Sequence, residues 1–312
     1  MKRPRLAPGS PAEADGAAFA VDGQAFRARP LSPGLYVVAT PIGHLGDITL
    51  RALETLAAAD LIACEDTRVT RILLDRYGIS TRLVAYHDHN AERQRPMILA
   101  ALAAGKAVAL VSDAGTPLVS DPGFRLVNAT LAAGHPVVPV PGASAVLAAL
   151  VASGLPSDAF LFAGFLPPKT VARKKRLAEF AATPATLVFF ESPQRLVASL
   201  ADMAAVLGGG RPCVVARELT KRFETLRRDS LAGLAAQLAS EPPPKGEIVV
   251  LVGPPEEKPP AAEDVDALLV ELLKSHAVGE AAAEAAAQTG LPRRDLYRRA
   301  LDLRKDRDDG AA

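Results

Sequence analysis

Short apolar runs alternate with helix-like segments between residues 35 and 154. Between the first two runs, Leu50, Leu53 and Leu56 repeat at the spacing of three that is typical of one helix face. The apolar runs are LYVVAT, LIAC, LVAY, AVALVS and VVPV, which begin at Leu35, Leu61, Leu83, Ala107 and Val137. Strands that alternate with helices form parallel sheets covered on both faces. The pattern therefore predicts an α/β domain, to which we assign residues 33–155.

A second series of strand candidates begins near Ala159. The candidates are AFLFAG, TLVFFE, CVVARE and EIVVLVG. The segment FETLRR, residues 223–228, follows CVVARE closely enough to pair with it as a hairpin. Residues 156–254 are therefore predicted to form a mixed α/β domain.

The two ends of the chain differ from these domains. Residues 1–32 are rich in Pro, Gly, Ala and Arg without a sustained period, which predicts a disordered extension with order beginning at Leu35. Residues 255–264 are predicted to be a polar, Pro-rich linker. Residues 265–307 contain three helical patterns with a Gly turn before a basic last helix, which predicts a helix-turn-helix-like tail. The predicted fold class is thus α/β, with two α/β domains and a small helical tail.

Composition and charge restrict the class of protein. A net charge of +1 gives the protein no overall positive potential that would attract nucleic acid, so any basic surface must be local. The two cysteines, Cys64 and Cys213, lie beside apolar runs without metal-ligand spacing, which indicates buried free thiols in a reducing compartment. No apolar stretch reaches the roughly 18 residues of a membrane span, and no secretory signal begins the chain. A cytoplasmic protein with no membrane contact is expected.

Three loops with unusual chemistry follow the carboxyl ends of predicted strands. They are TPIGHLGD from Thr40, VSDAGTPLVSDPG from Val111 and PGASA from Pro141. Open parallel sheets bind ligands at that edge, and Gly and Pro give rigid turns through which the backbone can approach a ligand. The spacing of the first loop matches neither the P-loop nor the dinucleotide motif. Each loop alone favours ordinary turn chemistry, whereas three at one sheet edge favour a site.

Acidic and histidine residues near these loops have alternative interpretations. Asp121 before Pro122 is typical of a helix N-cap. Asp113 stands at a strand end, where its carboxylate can accept hydrogen bonds from ligand hydroxyls or from backbone amides. In CEDTRVTR, Asp66 or Thr67 caps a helix or makes a polar contact. In YHDHN, substrate contacts are favoured over a metal because no further histidine lies nearby in sequence.

Basic residues gather in three segments of an otherwise neutral chain. PPKTVARKKR, residues 167–176, carries five basic residues and no acid. RELTKRFETLRR and the last helix, with Arg293, Arg294, Arg298 and Arg299, are the other two. A basic run is usually a solvated face, but three of them support a phosphate-backbone footprint. Few aromatic residues are available for stacking, so contact independent of base sequence is favoured.

Eight motifs occur in the order found in a known family. They are LYVVATPIGHLGDIT, CEDTR, SDAGTPLVSDPG, PVPGASA, GFLP, FFESPQR, ARELTK and KGEIVVLVG. Together they resemble the ribosomal RNA small subunit methyltransferase I family of the tetrapyrrole methylase superfamily, over roughly residues 35–254. The tail resembles the helix-turn-helix domain that many members carry.

The resemblance implies two α/β domains of the tetrapyrrole methylase type, with S-adenosylmethionine in the cleft between them, in a homodimer. It implies methyl transfer to a cytidine ribose 2′-hydroxyl in the decoding region of 16S rRNA, in the small ribosomal subunit. The cofactor-binding residues that it implies are Pro41, Asp113, Ala114, Gly115, Thr116, Val119, Ser144, Ala145, Glu191 and Ala216.

The substrate of such a reaction suggests further roles. Methyl transfer is an in-line displacement, so alignment of the acceptor oxygen supplies much of the rate, and a base would help because a hydroxyl is a weak acid. Candidates for that base are Glu65, Asp66 and His87, with Glu218 behind them, although positioning without a base is an alternative. No metal is expected. The residues assigned to hold phosphates are Arg68, Lys169, Lys174, Lys175 and Lys221.

Two rival functions compete with this one. The first is methylation of a tetrapyrrole carbon, as in precorrin methyltransferases. The first loop reads TPIGHLGD, where those enzymes typically carry a more Gly-rich GxGPGD, and the basic segments suit RNA better than a polycarboxylate. The second rival is a nonenzymatic RNA- or DNA-binding protein that uses the basic tail.

Overall fold

The computed structural model describes residues 17–120, 123–256 and 262–309. It divides into two compact units, Met1–Pro255 and Glu256–Ala312. The first unit contains both predicted α/β halves, and the second contains the helical tail. Among the described residues, no helix combines the length and the apolar character that crossing a membrane requires.

A β-hairpin precedes the first domain, where a disordered extension was predicted. Strands β1 (Ala18–Val21) and β2 (Gln24–Arg27) pair antiparallel around a two-residue turn. In that turn both Asp22 and Gly23 have positive φ, the geometry that Asp-Gly favours in tight hairpins. Phe19 is buried in the core of the first domain. The prediction of disorder was therefore wrong for residues 17–32, because the strands are too short to show a period; residues 1–16 lie outside the described part.

The first domain is built on a five-stranded sheet in which every strand pair is parallel. The spatial order is β5-β4-β6-β3-β7. Its strands are β3 (Gly34–Val38), β4 (Leu61–Cys64), β5 (Leu83–Ala85), β6 (Ala107–Val111) and β7 (Val137–Val140). The buried apolar character of β4 and β6 follows from their central positions, since both faces of the sheet are covered.

Helices cover the two faces of this sheet. A 3-10 helix (Leu45–Asp47), α1 (Leu50–Ala58) and α2 (Thr67–Arg76) follow the first two strands. The helices α3 (Ala91–Ala103) and α4 (Phe124–Ala132) pack on the opposite face from α1 and α2. The helix α3 contains Pro96 in its interior.

The predicted cap of α4 at Asp121 and Pro122 lies outside the described residues. The described helix begins at Phe124, with Gly123 in the N-cap position and no side-chain cap. The helix α5 (Ala145–Ser153) follows β7 and ends at Gly154 in the left-handed conformation.

The second domain is a mixed five-stranded sheet with the order β11-β10-β12-β9-β8. Only β8 and β9 are parallel, and the remaining pairs are antiparallel, including the predicted hairpin of β10 and β11. The strands are β8 (Phe160–Phe165), β9 (Thr186–Glu191), β10 (Pro212–Arg217), β11 (Thr225–Ser230) and β12 (Ile248–Val252). The helices are α6 (Thr170–Ala178), α7 (Leu196–Leu207) and α8 (Leu231–Ala239).

The helix α5 joins the two α/β halves. Its residues Val146 and Leu150 pack in one cluster with Val214 and Leu251 of the mixed sheet. The helices α6, α7 and α8 cover the other face of that sheet. Because α5 directly follows the third loop, the loops of the first domain are held against the second sheet.

The second compact unit consists of α9 (Ala262–Leu272), α10 (Val278–Thr289) and α11 (Arg293–Asp309). Leu269, Ala282 and Leu296, one from each helix, lie in its apolar core. The first helix begins within the segment predicted as a linker, of which residues 257–261 lie outside the described part. Gly290 takes the predicted turn before the last helix, with a left-handed φ.

Candidate functional site

A cavity of about 260 Å³ lies where the three loops of the first domain meet the mixed sheet of the second. This volume is close to the lower end of the ~300–1,000 Å³ found for small-molecule sites. Its walls combine small residues with apolar and aromatic ones and two glutamates. The lining residues are Ile42, Ala114, Thr116, Val119, Ser120, Ser144, Ala145, Val146, Phe165, Phe190, Glu191, Ala216, Leu219, Glu247, Ile248 and Val249.

Backbone hydrogen bonds tie the three loops together. The main-chain N–H groups of Thr40 and Gly115 each donate to the other residue's carbonyl oxygen, at 2.9 and 3.0 Å. The hydroxyl of Thr116 donates to the carbonyl oxygen of Ala143 at 3.2 Å. The three loops predicted to share one sheet edge therefore do meet there.

The second loop is held in an unusual backbone conformation. Gly115 has a φ of +79°, and a Cβ added there would lie 3.2 Å from Cγ2 of Ile42. Leu118 and Ser120 also have positive φ, at 74° and 64°, which costs on the order of 1–3 kcal/mol for each non-glycine residue. Strained residues of this kind concentrate at functional sites, where the surrounding structure holds them in place.

The N-terminus of α5 opens onto the cavity. Ser144 is its N-cap, and the hydroxyl oxygen accepts a hydrogen bond from the N–H of Leu147 at 3.5 Å. Ser144, Ala145 and Val146 all line the cavity. The exposed N–H groups of a helix N-terminus carry partial positive charge, so this wall suits a negatively charged ligand group.

The second domain contributes a buried carboxylate that is already paired. Glu191 accepts hydrogen bonds from the main-chain N–H of Ser192 at 2.7 Å and from the hydroxyl of Ser199 at 2.5 Å. Its carboxylate also lies 2.6 Å from the guanidinium of Arg195. These partners satisfy the carboxylate without a ligand, so Glu191 shapes the cavity wall and has little remaining capacity to bind.

Eight of the ten predicted cofactor residues are at this cavity. Seven line it, and Gly115 lies between two that do. The other two, Pro41 and Asp113, line a separate hollow of about 120 Å³. Asp113 Oδ1 accepts a hydrogen bond from the N–H of Asp66 at 2.9 Å, so the carboxylate faces the start of α2.

None of the three predicted bases is among the described residues that line the cavity. Asp66 caps α2, and its ion pair with Arg68 at 2.6 Å lowers the pKa of this carboxyl to about 2. Such a carboxylate is a weak base near neutral pH. Glu65 follows the last residue of β4, and His87 is half-buried, with its main-chain N–H donating to Asn90 Oδ1 at 2.9 Å.

Glu218 is also a weak base. The main-chain N–H of Glu247 and the ammonium of Lys221 hold the pKa of Glu218 below its ordinary value. The same ammonium lies 3.1 Å from Glu247, which lines the cavity. Lys221 therefore pairs with two carboxylates, and this pairing reduces its capacity to bind a phosphate.

The remaining residues predicted to hold phosphates differ in their pairing. The guanidinium of Arg68 is bound by Asp66, and the ammonium of Lys174 lies 3.5 Å from Asp202. Lys169 and Lys175 are exposed, and no ion pair to either is found among the described residues. Lys169, in the N-cap position of α6, and Lys175, in its last turn, are therefore the two of these cations whose charge is not neutralised by a described partner.

Several lining residues were not predicted individually. Phe165 and Phe190 stack edge to face with ring centroids 5.6 Å apart, and Glu247 stands opposite the loops of the first domain. All three lie within or beside the quoted motifs GFLP, FFESPQR and KGEIVVLVG. Sequence periodicity alone gave no sign of which of these positions face the cavity. Within the described residues, no group of three or more His, Cys, Asp or Glu residues could hold a metal ion.

Comparison with known proteins identifies the family of both units. The family described as Tetrapyrrole (Corrin/Porphyrin) Methylases matches residues 34–235, and the RsmI C-terminal HTH domain matches residues 259–304. The structure of uroporphyrin-III C-methyl transferase from Thermus thermophilus, complexed with S-adenyl homocysteine, is similar with a TM-score of 0.51. That similarity has 23% identity and covers 70% of this chain and 97% of that one, and it shows the shared fold.

Two curated relatives carry the name ribosomal RNA small subunit methyltransferase I. The protein from Mesorhizobium japonicum is 59% identical over 283 residues, which cover 91% of this chain and 96% of that protein. The protein from Erythrobacter litoralis is 54% identical over 277 residues, which cover 89% of this chain and 98% of that protein. At such identity over nearly the whole length, the chain belongs to the ribosomal RNA small subunit methyltransferase I family, on the tetrapyrrole methylase fold.

Proposed function

We propose that this protein transfers the methyl group of S-adenosylmethionine to the ribose 2′-hydroxyl of a cytidine in 16S rRNA of the small ribosomal subunit. The observation that carries the proposal is one cavity, built by three sheet-edge loops and the mixed sheet, in a chain that is 59% identical to a curated rRNA methyltransferase. Such an enzyme would act in the cytoplasm, where ribosomal subunits are assembled.

The cavity residues fit the chemical parts of S-adenosylmethionine. The aromatic rings of Phe165 and Phe190, with Ile248, offer an apolar wall for an adenine ring. The N-terminus of α5 at Ser144 suits the carboxylate of the methionine part. Small residues such as Ala114 allow the backbone to approach the ribose. When bound, the cofactor supplies a methyl group on a positively charged sulfur, which a nucleophilic oxygen can attack.

The contribution of the chain to such a reaction is mainly alignment. The described cavity wall contains no carboxylate free of partners, since Glu191 is paired with Arg195 and Glu247 with Lys221. Asp66 and Glu218, with lowered pKa values, are poor proton acceptors. The rigid second loop, tied to Thr40 through Gly115, keeps the wall fixed while the acceptor hydroxyl is held in line.

The rival reaction at a tetrapyrrole carbon has a direct test. The purified protein is incubated with S-adenosylmethionine labelled in its methyl group, together with 30S subunits that lack the modification or with precorrin. We expect label in 16S rRNA and none in precorrin. Label in precorrin alone would contradict the proposal and favour the rival.

A nonenzymatic nucleic-acid-binding protein is the other alternative. It predicts that calorimetry detects no binding of S-adenosylmethionine and that deleting residues 255–312 abolishes all affinity for nucleic acid. We expect the reverse on both points: saturable cofactor binding, and residual RNA affinity through Lys169 and Lys175 after the deletion.

We further propose that two copies of the chain associate as a homodimer. The helix α5 is almost wholly apolar, and its residues Leu147 and Val151 are exposed, Val151 to 80%. Exposed apolar residues on one helix face support an interaction surface. Light scattering should give twice the 32.6 kDa of one chain, and Val151→Glu should shift the mass towards that of a monomer.

A further inference from the structure

The connection between β10 and β11 packs against the first loop, TPIGHLGD, of the parallel-sheet domain. We call the start of this connection, Glu218–Lys221, the clamp turn. A Cβ added at Gly43 of the first loop would overlap Cγ of Lys221. It would also lie 2.9 Å from Oγ1 of Thr220 and 3.2 Å from the carbonyl oxygen of Leu219. Three consecutive residues of the clamp turn therefore fill the space beside Gly43, and a side chain at this position would displace them.

A hydrogen bond also joins the clamp turn to the first loop. The main-chain N–H of His44 donates to Oγ1 of Thr220 at 3.2 Å. Residues 43–47 are all exposed, so burial contributes little to holding this part of the loop. Within the described structure, one other hydrogen bond connects these residues to a different element, from the hydroxyl of Tyr77 to the carbonyl oxygen of Leu45 at 2.8 Å. The bond to Thr220 is therefore one of the two that fix the exposed part of the loop.

The clamp turn keeps a backbone conformation that its residues disfavour. Glu218 and Thr220 have φ values of +53° and +64°. A positive φ is a true outlier for a β-branched residue such as threonine, whereas glycine adopts it without strain. Glycine, however, has no hydroxyl that could accept the N–H of His44. The chain thus has a strained threonine at the position where glycine would relieve the strain, and strain of this kind concentrates at functional sites.

Both sides of this contact continue into the cavity wall. Ile42, which directly precedes Gly43, and Leu219 of the clamp turn belong to one apolar cluster, and both line the cavity. The ammonium of Lys221 lies 3.1 Å from the carboxylate of Glu247, another lining residue. A displacement of the clamp turn would therefore move the cavity walls that the two domains contribute.

We propose that the clamp turn holds the first loop against the mixed sheet and so fixes the shape of the cavity for S-adenosylmethionine, with Thr220 as the positioning residue. Thr220 is not among the described residues that line the cavity, so it acts through the main chain of His44. The strained turn provides the hydroxyl at the place that the first loop requires. This inference rests on the proposed function for the identity of the ligand.

The first test removes the hydroxyl of Thr220. Thr220→Val keeps the branched shape, and affinity for S-adenosylmethionine in calorimetry with the full chain should fall about five- to tenfold, the effect of one lost hydrogen bond. Thr220→Ser keeps an oxygen for the N–H of His44, so its affinity should stay within about twofold of the wild-type value. Thr81→Val is the matched control, because the Thr81 hydroxyl donates to the carbonyl oxygen of Leu56 at 2.7 Å, before the start of β5 and away from the three loops. It should lower stability and leave cofactor affinity unchanged.

A second variant at the same position separates positioning from stability. Thr220→Gly removes the hydroxyl and also relieves the strain of the positive φ. In urea titrations its free energy of unfolding should equal or exceed that of the wild-type protein, while its cofactor affinity falls as in Thr220→Val. If Thr220 served the stability of the fold alone, cofactor affinity would not fall in a variant that is at least as stable.

A third variant tests the contact from the side of the first loop. Gly43 does not have a positive φ, so Gly43→Ala introduces no backbone strain and acts by displacing the clamp turn. Affinity for S-adenosylmethionine should fall about tenfold, as expected for overpacking. Gly210→Ala is the matched control, because Gly210 also lacks a positive φ and a Cβ there meets no atom within 4 Å. It should bind the cofactor as the wild-type protein does.

The outcomes separate the clamp turn from the proposed function. If the wild-type protein binds S-adenosylmethionine and methylates 16S rRNA, while Thr220→Val and Gly43→Ala keep its cofactor affinity, the clamp turn does not position the cavity and the proposed function stands. If the wild-type protein binds S-adenosylmethionine without methylating 16S rRNA, the proposed function is overturned, and the affinities of the same variants still decide the role of the clamp turn. A wild-type protein that does not bind S-adenosylmethionine would overturn both.

Discussion

The parallel sheet of the first domain and the mixed sheet of the second contribute to the same cavity in different ways. In the parallel sheet, β3, β6 and β7 all end at one edge, so the loops that follow them meet there. In the mixed sheet, β10 runs antiparallel to both its neighbours. Its residue at the cavity, Ala216, lies within the strand and not in a loop after it. The first domain supplies the site with loops, and the second supplies it mainly with a sheet face.

This difference has a general consequence for ligand sites. Parallel strands bring every strand-to-helix loop to one edge, so the position of a loop in the sequence predicts its place in the structure. Antiparallel strands alternate in direction, and the residues of one sheet face occur at every second position. Substitutions in the loops of the first domain should therefore affect ligand binding most strongly.

The largest effect is expected from Gly115→Trp. The left-handed φ strains any side chain at this position, and an added Cβ already lies 3.2 Å from Ile42 at the cavity wall, so a bulky indole there should disturb the cavity. Affinity for S-adenosylmethionine in calorimetry should fall at least ~100-fold, or about 2.7 kcal/mol. The matched control is Gly105→Trp at the other end of β6. Gly105 has a similar φ of +76°, but a Cβ there meets no atom within 4 Å. Equal affinities in the two variants would mean that the cavity is not the cofactor site.

A change of stability is expected next, from the hairpin that extends the first domain. Phe19 is buried against the parallel-sheet core, whereas its stacking partner Phe26 is 37% exposed. Phe19→Ala should lower the free energy of unfolding by about 3 kcal/mol in urea titrations. Phe26→Ala should lower it by much less. An unchanged midpoint for Phe19→Ala would show that the hairpin is not part of the folded domain.

A smaller effect is expected from the lysines of α6, in the second domain. Lys175 has no ion pair within the described residues, whereas Lys174 lies 3.5 Å from Asp202. Lys175→Gln should weaken binding of 16S rRNA and reduce the slope of log affinity against log salt by about 0.7–1. Lys174→Gln should reduce it less. Identical slopes for Lys175→Gln and the wild-type protein would place the RNA-binding surface elsewhere.

The smallest effect concerns one cysteine in each sheet. Cys64 and Cys213 are both buried, and burial raises the pKa of Cys213 to about 12. Neither thiol should react with an alkylating reagent at pH 8 until denaturant is added. Because the folded pKa lies above the ordinary value near 9, the contribution of Cys213 to stability is constant below pH 9 and decreases between pH 9 and 12. A rapid reaction of the native protein would contradict the burial of these strands.

The sequence supports the prediction of the fold more fully than that of the site. The apolar runs predicted Leu61–Cys64 and Val137–Val140 with their observed bounds. The first is buried throughout, which leaves little room for polar residues, whereas the second is a partly buried edge strand that is still apolar throughout. The hairpin at residues 17–32 was missed because four-residue strands show no period, although its Asp-Gly turn was visible in the sequence.

The site was predictable where local geometry determines it. The convergence of the three loops follows from parallel strands, so the sequence predicts it. The direction in which Asp113 faces depends on its hydrogen bond with Asp66, 47 residues away, which no local pattern reveals. Glu191 differs, because its partners Ser192, Arg195 and Ser199 all follow it within eight residues of the sequence. The role of each site residue stays a prediction.

The central claim is that this chain methylates a cytidine ribose in 16S rRNA, and mapping of 2′-O-methyl groups tests it most directly. The rRNA is taken from cells with the gene, from cells without it, and from cells complemented with the Gly115→Trp or the Gly105→Trp variant. We predict that one cytidine loses its 2′-O-methyl group without the gene and regains it with Gly105→Trp but not with Gly115→Trp. An unchanged map of 16S rRNA in cells without the gene would contradict the account.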